Sequence, residues 1–175
     1  MTASPRARKT AYAISDQFLR FHYRFVEPAR SQLRTTDLAA GYLDATVLPQ
    51  LDEFTSRAWE VICQQHVLRT VEGVTAVGRW WGPVPTGDGR RTEEREIDVV
   101  GVDGDRSPVV VGMCKWTAHP VDVSELNLLD RLASHVGGAS PQRFLFSRSG
   151  FDDRLSTLAE HDTTLTLVTP EDIYR

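Results

Sequence analysis

Three side chains near the middle of this chain are of the kinds that hydrolyse phosphodiesters. Glu96 and Asp98 stand one residue apart in "REIDVVGV", and Lys115 closes the apolar run "PVVVGMCKW" with Trp116 behind it. Alternation along a strand points Glu96 and Asp98 to one face and Ile97 to the other. "DGDRSP" reads as a hairpin turn that returns the next strand antiparallel, so Lys115 approaches Asp98 if the register puts both on the same face. Magnesium takes oxygen ligands, usually one or two carboxylates with waters and substrate phosphates. A lysine beside it positions water and offsets charge developing on phosphate. Spacing alone fits better an exposed strand whose Glu, Asp and Lys form cross-strand ion pairs.

The elements that must position these residues are legible in the periodicity. "DQFLRFHYRFVEP" places Phe18, Phe21, His22, Phe25 and Val26 at helical spacing, with Ser15 or Asp16 as cap and Pro28 as the end. That aromatic stripe needs something to pack against, a partner or another domain. Tyr12–Ile14 reads as a short strand, and 35–50 as a connecting stretch with Gly41 and Pro49. A long helix is expected from about Asp52 to Val71, with Phe54, Ala58, Val61, Gln65 and Leu68 on its apolar face and Gly73 as its stop. "VTAVGRWWG", "REIDVVGV" and "VVVGMCKW" then read as three strands of a meander, with the polar loop "PVPTGDGRRTEE" after the first. A helix over "VDVSELNLLDRLASHV" follows, with Asp122 and Glu125 as a capping box and Gly137-Gly138 as terminator. "QRFLFSRSG" (strand), "FDDRLSTLAEH" (helix), "TTLTLV" (strand) and "TPEDIY" (helix) complete the order αβββαβαβ from residue 52. This is an α/β fold whose last strands are joined by parallel crossovers, giving a mixed sheet.

Acid pair, turn, and an apolar strand ending in a triplet that closes with lysine resemble the PD-(D/E)XK nuclease superfamily, and the αβββαβ order looks like its restriction-endonuclease-like core. More narrowly, "YAISDQFLRFHYRFVEP", "VGRWWG", "EIDVVGVD", "GMCKWTAHPVDVSEL" and "FLFSRSGF" together resemble the C-terminal region of a prokaryotic, archaeal-type P-loop ATPase family, over about residues 11–175. In that family an ATPase module and a winged helix precede a nuclease-like tail. Residues 1–10, polar, basic and proline-containing, read as a disordered tail, and the resemblance implies a helical segment at 11–50 and a nuclease-like domain at 51–175. No GxxxxGK[ST] occurs here, so an ATPase enters only as a partner module.

Carried over by resemblance, Asp98 matches the metal-binding aspartate, Lys115 the catalytic lysine, Glu60 of "RAWEVICQQ" the first-helix glutamate that completes the metal site, and Glu96 the acid preceding the aspartate. The departure is Met113, where the family pattern has Glu-Cys-Lys-Trp and this chain has Met-Cys-Lys-Trp. A thioether is a poor ligand for a hard cation. The expectation is therefore a degenerate nuclease site acting in nucleic-acid or partner-ATPase binding. The alternative is an active magnesium-dependent nuclease in which Asp98 and a second acid hold the metal.

The remaining candidates carry weaker signals. Trp81 offers a surface on which a base stacks, though adjacent strand aromatics usually divide between core and surface. Arg91 and Arg95 can touch a phosphate backbone, but they alternate with Glu93 and Glu94. Arg148, in "SRSG", precedes a helix whose N-terminus suits an anion. His119 and His135 are isolated, and Cys63 and Cys114 read as small buried thiols of a reducing cytoplasm. A net charge of -4 over 175 residues does not advertise a nucleic-acid binder, although a local patch matters more than the sum. No apolar run has membrane-spanning length and no secretory signal opens the chain. The expectation is a soluble cytoplasmic protein.

Overall fold

The computed structural model describes residues 14–86, 91–137 and 140–174. The tail at 1–10, Tyr12, Arg90 and Gly138 of the sequence reading lie outside the described residues. The chain divides into two compact units, Met1–Leu51 and Asp52–Arg175.

In the first unit Asp16 caps α1 (Gln17–Phe21), its carboxylate accepting the Leu19 N–H at 2.8 Å. The chain passes through a π-helical turn (His22–Val26) into a 3-10 turn (Glu27–Ala29), where Pro28 has no N–H to continue the ladder. Ile14, the end of the expected short strand, is irregular. The expected connector at 35–50 is helical instead. Thr35 caps α2 (Thr36–Tyr42), and a π-helical turn (Leu43–Val47) leads directly into α3 (Leu48–Thr70). Gly41 costs only about 1 kcal/mol in a helix. Pro49 falls just after the π-helical turn, where the hydrogen-bond register changes and a missing N–H is tolerated. The aromatic stripe finds part of its packing within this unit. Phe25 is buried, the Phe21 ring packs against it in a tilted arrangement at 5.1 Å between centroids, and the Tyr42 hydroxyl donates to the Phe25 carbonyl at 2.9 Å. Phe18 and Tyr23 stay exposed.

The second unit is built on a mixed sheet of five strands in the order β1-β2-β3-β4-β5. They are β1 (Ala76–Pro85), β2 (Thr92–Val102), β3 (Pro108–Lys115), β4 (Gln142–Ser147) and β5 (Leu165–Val168). The first three form the expected antiparallel meander, and β3, β4 and β5 are parallel, joined by α4 (Val123–Ala133) and α5 (Asp153–His161). A short α6 (Pro170–Ile173) ends the fold, with Thr169 and Asp172 as a reciprocal capping box. β1 runs to Pro85, beyond the point where a loop was expected. It is an edge strand, so Pro83 and Pro85 leave no inner ladder bond unmade.

Apolar layers form on both sheet faces. On one, Ile97, Val111, Met113 and Leu145 cluster with Leu126, Leu129 and Leu132 of α4 and Leu155 of α5. On the other, Val99, Val110, Phe144 and Phe146 cluster with Trp59, Cys63 and Val67 of α3. The buried stripe of α3 is therefore Trp59, Cys63 and Val67 at i, i+4, i+8, not the expected stripe, whose Val61 and Leu68 are exposed. Trp59 brings the largest apolar area on the helix and decides its rotation, which places Glu60 at the margin of the buried face.

Candidate functional site

β1 and β2 slip past one another within the site. Gly78 pairs with Val100 and Trp80 with Ile97, so Arg79 alone stands against Asp98 and Val99. Ile97 and Val100 enter the same apolar cluster across this bulge. Strict alternation thus breaks at Asp98 and Val99, where Val99 joins the cluster under α3 and Val100 the opposite one, while Glu96 and Asp98 both stay within electrostatic reach of Glu60.

Asp98 is 8% exposed. The β2–β3 ladder reaches Val99 opposite Gly112, and beyond it the Cys114 N–H donates to Asp98 Oδ2 at 2.8 Å. The carboxylate takes the place of a strand carbonyl where the two strands part. Its own backbone carbonyl accepts from Gln64 Nε2 of α3 at 2.7 Å. Burial raises the Asp98 pKa and the Cys114 N–H opposes the rise. Glu96 adds to it, while Lys115 and Arg79 lower it.

Glu60 faces the sheet. Its Oε2 lies 2.8 Å from Arg79 Nη2, and Arg79 Nη1 lies 3.9 Å from Glu96 Oε2. Burial raises the Glu60 pKa. Arg79 lowers it, and Asp98 and Glu96 raise it further. Glu60, Glu96 and Asp98 thus form one electrostatic cluster with Arg79 as a shared cation.

Lys115 turns to the other side of the site. Its Nζ lies 3.0 Å from Glu125 Oε2 in the first turn of α4. The expected capping box at this helix is incomplete for that reason. Asp122 does cap, accepting the Ser124 N–H at 2.8 Å and the Ser124 hydroxyl, but the Glu125 carboxylate is spent on Lys115. Glu60 Oε2 and Glu125 Oε2 are both buried without a well-aligned hydrogen bond, so charge rather than hydrogen-bond geometry holds each.

Met113 is 7% exposed and belongs to the apolar cluster under α4. Together with Leu128 and Leu132 it lines a cavity of 460 Å³ whose other lining residues are Trp81, Glu94, Arg95, Glu96 and Lys115. Among the described residues, no three His, Cys, Asp or Glu side chains are arranged to hold a metal ion.

The other candidates disperse. Trp80 packs on the core, and Trp81 is 72% exposed at the cavity. Arg95 pairs with Glu93 at 2.7 Å, and Arg91 is exposed immediately before β2. Arg148 pairs with Asp52 at 2.9 Å and lies over the Trp116 ring at 5.1 Å. The helix after "SRSG" begins only at Asp153, and the Asp152 carboxylate caps it, which discourages an anion there. The Cys114 thiol hydrogen-bonds Cys63, and burial pushes its pKa well up, away from nucleophilic use. Two residues escaped the sequence reading, Arg79 and Glu125. Arg79 stood inside "VGRWWG" but was given no role, and its signal was an arginine on the strand next to an acid pair. Glu125 was read as a cap because that role accounts for its spacing.

These features define a mixed α/β domain with a buried strand carboxylate, a strand-end lysine and a cavity beside them. Residues 22–127, more than half of the chain, match DUF234, described as archaeal and bacterial proteins of unknown function, and the chain belongs to this family. A search of curated proteins gives no match. Among solved structures, protein VC1899 from Vibrio cholerae is similar, with a TM-score of 0.49 and 20% identity. The match covers 69% of this chain and 30% of that one. No helix among the described residues is long and apolar enough to cross a membrane.

Proposed function

We propose that this chain is a PD-(D/E)XK nuclease-like domain that has lost phosphodiester hydrolysis and acts by binding nucleic acid as an accessory of an ATPase-type protein. The observation that carries this reading is Met113. The position where the resemblance calls for a metal-binding carboxylate holds a soft thioether built into the apolar core. The other parts are also committed elsewhere, Glu60 to Arg79 and Lys115 to Glu125. Magnesium has poor support in this donor set. The cavity beside it supports binding, since an exposed Trp81 offers a stacking face near Arg95 and Lys115. Exposed Phe18 and Tyr23 support a docking role for the first unit toward an ATPase module.

The test is fluorescence anisotropy of labelled single-stranded and double-stranded DNA across a salt series. Binding is expected to weaken with salt as counterions are released. Trp81→Ala is expected to weaken single-strand binding about 5- to 150-fold, which corresponds to one stacked base. Absence of any salt-dependent binding rules out the nucleic-acid reading.

The competing reading, an active magnesium-dependent nuclease, draws on one observation. Asp98 and Glu96 both lie close enough to raise the Glu60 pKa, with Lys115 acting on Asp98.

A further inference from the structure

We propose that the Arg79 guanidinium is the resident cation of the Glu60–Glu96–Asp98 cluster and that it keeps divalent metal ions out. The inference rests on the reading of a disabled nuclease scaffold and adds a named residue to it. Three acids converge from α3 and β2, and three carboxylates in a half-buried place need positive charge. In a nuclease a metal ion brings it. Here β1 brings it, from the single residue that faces the two-residue bulge of β2.

The geometry suits the role. The fork of a guanidinium presents separate nitrogens to separate acceptors. Arg79 Nη2 serves Glu60 at 2.8 Å and Nη1 reaches toward Glu96 at 3.9 Å. An arginine stays charged throughout the accessible pH range, so this cation cannot leave by deprotonation. A divalent ion entering the cluster would have to take Glu60 from Arg79 while lying close to a fixed positive charge. The position where the resemblance calls for a further carboxylate is Met113, packed in the apolar cluster under α4, so β3 offers the ion no oxygen in exchange. The bulge and the arginine act together. The bulge sets Asp98 and Val99 together against a single residue of β1, and that residue is basic.

The experiment measures Mn2+ binding by electron paramagnetic resonance of the free ion, for the natural chain, Arg79→Met and Arg79→Lys. Methionine keeps much of the side-chain volume and removes the charge, while lysine keeps the charge. The natural chain and Arg79→Lys should show no saturable site. Arg79→Met should gain one, with affinity raised by about tenfold or more, as coupled charges typically give. In the same samples Mg2+ should raise the melting temperature of Arg79→Met and leave the natural chain unchanged, because only a ligand that binds the folded state stabilises it. If Arg79→Met is unfolded in buffer alone, Mn2+ should restore its fold. The proposal is overturned if the natural chain binds Mn2+ as tightly as Arg79→Met. It is equally overturned if Arg79→Met gains neither binding nor metal-dependent stability. Neither result bears on whether the chain binds nucleic acid, so failure here is distinct from failure of the functional reading.

Discussion

Replacing Met113 with Glu should damage the fold before it restores any chemistry. Met113 sits in the cluster with Ile97, Val111, Leu129, Leu132 and Leu145, almost without exposure. Full burial of such a side chain is worth about 1.5–3 kcal/mol. A carboxylate put in its place forfeits that and adds a desolvation penalty of several kcal/mol. Lys115, two residues on along β3, offsets part of the penalty but is already paired to Glu125 at 3.0 Å. The net expectation is a loss of about 3–5 kcal/mol, the range for a buried charge without its partner. Met113→Leu, which nearly conserves volume, should lose less than about 1.5 kcal/mol. Urea unfolding followed by fluorescence of the four tryptophans measures both. The Met113→Glu penalty should also shrink as pH falls and the buried carboxyl takes up a proton. A Met113→Glu chain within about 1 kcal/mol of the natural one would mean the position still accommodates an acid, and the core argument would be refuted.

Three further outcomes are expected. In Gly112→Ala the new Cβ would lie 3.0 Å from the Phe144 carbonyl oxygen on β4, which cannot move without its strand, so the urea midpoint should fall by the equivalent of about 1–3 kcal/mol. Glu125→Gln breaks a half-buried pair and should cost about 1–2 kcal/mol, between the exposed and buried limits, with the loss largely absent in a Lys115→Met background. Asp98 has its pKa raised in the fold, mainly by burial, so its ionised form is less favourable folded than unfolded. Its contribution is therefore destabilising above the folded pKa and vanishes below the ordinary value near 4. Asp98→Asn can still accept from the Cys114 N–H through its amide oxygen, so it should gain stability relative to the natural chain as pH rises from about 4 to 7. A flat difference across that range speaks against the assignment.

The alternation of "REIDVVGV" and "VVVGMCKW" and the turn between them were enough to place β2 and β3 side by side. The change of period after "TAHP" was enough to place α4. What escaped was set by tertiary choices. The α3 stripe follows Trp59, whose area outweighs the more regular but smaller pattern through Ala58 and Val61. The segment 35–50 looked like a connector because Gly41 and Pro49 are breakers, yet α2 tolerates Gly41 in its interior and Pro49 falls in the first turn of α3, just after the π-helical turn. The acid pair and Lys115 were visible as chemistry, but their partners were not. The bulge that sets Asp98 and Val99 against Arg79 and the choice of Glu125 between capping and pairing are decided across the sheet, beyond the reach of spacing along one strand.

The most direct test of the account is incubation of the natural chain with labelled single-stranded and double-stranded DNA, in magnesium and in manganese, beside Lys115→Ala and Asp98→Ala. The account predicts intact substrate in every lane, with DNA nevertheless bound by the natural chain. Metal-dependent cleavage by the natural chain that both substitutions abolish would contradict it, and the site would then have to be read as a working nuclease.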